Sequence, residues 1–154
     1  MIGPGTAIRN FFVDSFNFSG RSSRAEFWWI FVISLGLFVV AGILDMQFFD
    51  TLDWADTYAY WPVSDTLTIL LTIPLASLGC RRMHDIGVTG IPAIIFQFGS
   101  AIWMISLIGK PVSENTTPLE IAIYGTAVLL LILALIPSKP EPNKYGPNPH
   151  EVMS

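Results

Sequence analysis

Charge is scarce in this chain. Asp, Glu, Lys and Arg make up 13% of its 154 residues, against roughly 25% in ordinary soluble domains. Cysteine is scarcer still: Cys80 stands alone, so neither an intrachain disulfide nor a cysteine-rich metal site is possible. Histidine is limited to His84 and His150. Basic runs are missing, which excludes a nucleic-acid footprint, and no nucleic-acid partner is expected. No small-residue cleavage site ends the first apolar run, and Asp14, Arg21, Arg24 and Glu26 precede it. That run is therefore expected to stay as an anchor rather than leave as a signal peptide. Internal repeats and low-complexity tracts are also missing.

What the chain has in quantity is apolar residues, 52% of the total. A soluble fold of this size has too little interior to hide them, whereas a bilayer accepts them as a solvent. Four uncharged apolar runs stand out: Phe27 to Leu44, about Thr66 to Cys80 (extended back to Pro62, with Asp65 at its edge), Ile86 to Gly109, and Ile121 to Ser138. The first, at 1.5 Å per residue, is about 27 Å long, near the ~30 Å hydrocarbon thickness. The expected fold is all-α: one integral membrane domain with four transmembrane helices over 27–48, 62–82, 88–109 and 118–136, packed as a compact bundle. An N-terminal segment (1–26) and a Pro-rich tail (137–154) flank it.

Local signals set the boundaries. Ser23 followed by Glu26 reads as a capping box, and Thr117-Pro118 with Glu120 opens the last helix. Gly87 is placed to close the second helix and Pro137 to stop the fourth. The short Gly87–Gly90 connection predicts an antiparallel hairpin. Pro74 is placed to kink the second helix, and Ala76, Ser77 and Gly79 to admit a close neighbour. About Ile8 to Phe16 is expected to lie as an amphipathic segment on the inner surface. The tail, with prolines at 137, 140, 142, 147 and 149, is expected to be extended and unhelical.

Orientation follows the basic residues. Arg9, Arg21, Arg24, Arg81, Arg82, Lys139 and Lys144 fall on one side and Lys110 on the other. Both termini are thus expected in the cytoplasm. Asp45, Asp50, Asp53, Asp56, Asp65, Glu114 and Glu120 fall outside. Phe27, Trp28 and Trp29 mark the inner edge; Trp54, Tyr58, Tyr60 and Trp61 mark the outer one.

Three segments converge on the cytoplasmic side: Gly20-Arg21-Ser22-Ser23-Arg24-Ala25-Glu26-Phe27-Trp28, Arg81-Arg82-Met83-His84-Asp85-Ile86-Gly87-Val88-Thr89-Gly90, and Asn143-Lys144-Tyr145-Gly146-Pro147-Asn148-Pro149. Together, in this order, they resemble the bacterial family catalogued as domain of unknown function 805, over about residues 10–149. Thr89 stands where that family usually has serine, Ile91 where tryptophan is common, and Pro142 where glycine often precedes the tail asparagine. The resemblance implies a small inner-membrane protein and no activity.

The residues themselves suggest what such a face does. Arg21, Arg24, Arg81 and Arg82 have the planar donors that grip phosphate, with Glu26, His84 and Asp85 to orient them. The expected role is non-enzymatic: holding an anionic lipid head group, a phosphate or a protein partner. Weighed against it is an arginine set that only fixes topology, or an internal ion-pair network with Glu26 and Asp85. An oligomeric transporter or channel built on Ser34, Ser77, Gln97, Ser100 or Ser106 is one alternative. A membrane enzyme using His84 and Asp85 on a phosphorylated or lipid substrate is another. Cys80 and His84, four apart, share a helical face, but His150 in a loose tail is the only other histidine, so no metal and no cofactor is expected. Ser22, Ser23 or Thr89 beside His84 and Asp85 makes a weak triad, because the serines suit helix capping. Asp50, Asp53 and Asp56 lack the oxygen density and glycine turn of a calcium loop.

Overall fold

The computed structural model describes residues 2–49, 61–107 and 118–148. Among them are five helices and no named strand: α1 (Pro4–Val13), α2 (Arg24–Phe48), α3 (Pro62–Asp85), α4 (Ile91–Leu107) and α5 (Pro118–Leu135). The acidic stretch with Asp50, Asp53 and Asp56, together with Thr117 and His150, lies outside the described residues.

Two helices, α2 with 25 residues and α3 with 24, are long and apolar enough to cross a membrane. Their lengths correspond to about 37 and 36 Å. On α2, Val32, Leu35, Val39, Val40 and Ile43 are exposed, as are Ile69 and Leu70 on α3. The shorter apolar helices α4 and α5 expose Ile95, Ile102, Val128, Leu129 and Ile132. Surface of this kind on every long helix far exceeds what a soluble monomer tolerates.

The helix ends follow from local chemistry. Ser23 caps α2, its Oγ accepting the Glu26 N–H at 3.2 Å. Only this half of the capping box forms. α3 continues three residues past the expected end at 82, so Arg82, His84 and Asp85 complete its last turn. It stops in a Schellman motif: Gly87 at φ 83°, its N–H on the His84 carbonyl and the Val88 N–H on that of Met83. The helix runs on through the buried Pro74. At the other end, Pro62 has no N–H to offer, and the next two amides of α3 need acceptors. Asp45 of α2 supplies them: its carboxylate accepts the Val63 N–H at 2.8 Å, and the Ser64 N–H and Oγ–H at 2.9 and 2.7 Å.

α3 packs against all four other helices. Its small residues allow the closest approach. A Cβ added at Gly79 would stand 3.2 Å from Ala93 of α4, and one at Gly90 would come 2.9 Å from both Cα and Cβ of Cys80. The 86–90 connection therefore closes a tight antiparallel α3–α4 hairpin. The N-terminal helix spans Pro4–Val13 rather than Ile8–Phe16 and is docked, not merely surface-bound. Ile2, Ala7 and Phe11 enter a core with Ile30, Leu71 and Leu78, and the Trp29 Nε1–H donates to the Ile2 carbonyl at 3.2 Å. Its other face leaves Phe12 and Val13 exposed, followed by Phe16.

Candidate functional site

One end of the bundle gathers the start of α2, the end of α3, the 14–23 segment and the tail after α5. Its centre is Asp85, whose side chain is fully buried. Arg21 presents its forked edge to Oδ1, with Nε and Nη2 both at 3.0 Å. Arg82 Nη1 bonds Oδ2. The remaining donors of both arginines go to carbonyl oxygens. Arg21 reaches Glu141 at 3.0 Å and Lys139 at 2.5 Å. Arg82 takes Ala134 with Nε at 3.3 Å and Nη2 at 3.0 Å, and Nη2 also meets Ile136. Arg82 thus caps the C-terminus of α5, where unfilled carbonyls and the negative end of the helix dipole favour a cation. Two buried cations against one carboxylate leave one positive charge over, and these carbonyls offset it.

His84 ties the same place to the tail. A carbonyl only accepts, so the 3.2 Å contact of Nδ1 with the Gly20 oxygen puts the proton on Nδ1. Nε2 is left as the acceptor, 3.6 Å from Cys80 Sγ. The Tyr145 ring stacks on the imidazole with centroids 3.8 Å apart and planes 5° from parallel. Asn143 Nδ2 donates to the His84 carbonyl at 3.0 Å, while its Oδ1 accepts the Tyr145 N–H at 2.8 Å. Asn143 and Gly146 close a tight turn through both backbone bonds. The tail as far as Asn148 is therefore pinned.

The other site residues are held differently. Arg81, buried, has Nη1 at 3.4 Å from Asp14 and 3.6 Å from Glu26. Its Nε and Nη2 are buried without a hydrogen bond among the described residues. Arg24 is exposed at the first turn of α2 and makes no ion pair among the described residues. The seven expected residues thus divide. Arg21, Arg82, Asp85 and His84 form one interlocked group; Arg81 and Glu26 form a second; Arg24 faces outward. Ser23 is a cap, and the His84 nitrogens face a carbonyl and a thiol rather than a serine. Cys80 and His84 do come together, but no third metal ligand joins them among the described residues.

Sequence reasoning missed three contributors. Asp14, an acid just before the arginine motif, pairs with Arg81. Ser77, which looked like a candidate for a polar pathway, has its hydroxyl 2.8 and 2.7 Å from the carbonyls of Asp14 and Asn17. Asn143 was only part of a motif; its paired contacts need the folded tail.

Fold and site together define a helical protein with two helices long and apolar enough to cross a membrane, whose polar end is tied by an internal arginine–aspartate clasp. The chain belongs to the family described as "Protein of unknown function (DUF805)", whose model matches residues 15–147. No curated protein and no solved structure matches it.

Proposed function

We propose that the protein is a non-enzymatic binding protein of the bacterial inner membrane, with four spans and both termini in the cytoplasm, that holds an anionic group at its cytoplasmic face. Support for four spans comes from α4 and α5, which at 17 and 18 residues reach about 26–27 Å and are apolar outside as well as in. Support for the orientation comes from the basic residues, which crowd the end carrying the clasp.

The observation that carries the binding reading is the unequal fate of Arg21, Arg82 and Arg24. Arg21 and Arg82 have their donors filled by Asp85 and backbone carbonyls. They make a frame. Arg24, on the rim of that frame, is exposed and free of an ion pair among the described residues. A guanidinium in that place meets lipid phosphates first.

Native mass spectrometry of the detergent-solubilised protein, wild type beside Arg24→Gln, tests this. Retained anionic phospholipid in the wild type and its loss in the variant are expected. Identical retained lipid in both would overturn the reading.

A further inference from the structure

On α2, Arg24, Phe27, Phe31, Ser34 and Phe38 recur at spacings of three and four, so they form one face. All of these but Arg24 line a partly open cavity of about 280 Å³, walled on its other sides by α3, α4 and α5. Arg24 stands one turn beyond its aromatic end. We propose that this cavity seats one acyl chain of an anionic glycerophospholipid whose head group meets Arg24. The inference rests on the reading of Arg24 given above, and adds the ligand's class and the place of its chain.

Two observations point to this occupant. The first is volume. Protein interiors leave few voids larger than a water molecule, and this one is many times larger. Its walls are mostly apolar, with Phe27, Phe31, Phe38, Leu75 and Leu130 prominent. Hydrocarbon is what a membrane offers to fill it.

The second is charge. A neutral lipid would leave Arg24 unused, and a soluble phosphate would leave the cavity empty. An anionic lipid uses both.

The test uses the full-length protein in phosphatidylcholine vesicles with a minor fraction of phosphatidylglycerol bearing a photoreactive diazirine on one chain. Illumination followed by peptide mapping should place crosslinks on Phe31, Gln97 and Leu130. Crosslinks confined to outward-facing residues such as Val39, Val40 and Ile132 would overturn the proposal. A cavity-filling Leu130→Trp variant, checked for an unchanged melting profile, should retain about tenfold less phosphatidylglycerol, the effect of excluding about two methylenes. If Arg24→Gln abolishes retention while Leu130→Trp leaves it intact and the crosslinks stay outside, the chain site is refuted and the head-group site stands. If the wild type retains no anionic lipid, both fall.

Discussion

Replacing Asp85 with asparagine isolates the charge at the centre of the clasp. The shape is preserved, and the amide oxygen still accepts one bond. What disappears is the only carboxylate that faces Arg21 and Arg82 among the described residues; their side chains are 1% and 0% exposed. Two guanidinium groups are then buried with carbonyl dipoles alone against them. Removing one partner of a buried ion pair costs about 3–5 kcal/mol. For a chain of this size about 1 kcal/mol moves the midpoint by about 2–4 °C, so a fall of about 6–20 °C follows. Thermal unfolding in one detergent, read by tryptophan fluorescence, measures it. Adding Arg21→Gln should give a double variant less destabilised than the sum of the singles by about 0.5–3 kcal/mol, since both changes touch one pair. An Asp85→Asn midpoint within about 2 °C of wild type, or additive behaviour in the double variant, would refute the buried clasp.

Asp45→Ala removes the carboxylate that holds the first amides of α3 and should cost about 1–3 kcal/mol in the same melt. Asp45→Asn, which keeps an acceptor, should lose less. Gly90→Ala forces a Cβ into the Cys80 backbone, and the α3–α4 hairpin must spread; a lowered midpoint and loss of monodispersity in size-exclusion chromatography are expected, and an unchanged midpoint would refute the contact. A reporter enzyme fused at Thr57, active only outside the cytoplasm, should be active; silence there would reverse the proposed orientation.

The sequence made the helices legible because each long one is written twice, once in an uncharged run and once in its end signals. Ser23 and Gly87 act at the termini where their chemistry placed them. The three motif segments also meet at one end, as their shared side of the charge asymmetry implied. Which arginine does what was not legible. Arg81 and Arg82 are neighbours in sequence, yet on a helix they point about 100° apart. One meets the N-terminal segment and the other the end of α5. Arg24 carries the same charge as Arg21, but it lies on an outward turn of α2 while Arg21 lies in a segment folded under the tail. Asp45 read as one of several outer acids, because an acceptor that caps another helix is recognisable only when that helix is beside it. The N-terminal helix began four residues before the expected Ile8 because Pro4 suits a first helical position, a signal with no apolar period to announce it.

The carbonyls that fill Arg21 belong to the far end of the chain, 118 residues later at Lys139. During synthesis at about 5–20 residues per second, that interval is about 6–24 s. Until it has passed, Arg21 and Arg82 lack the carbonyls of the 134–141 stretch that accept their N–H groups. A chain cut before Lys139 keeps all five described helices and lacks the carbonyls that meet Arg21. The joint at this end of the bundle is thus assembled from segments far apart in the chain, and it closes only when the stretch after α5 folds back over Arg21.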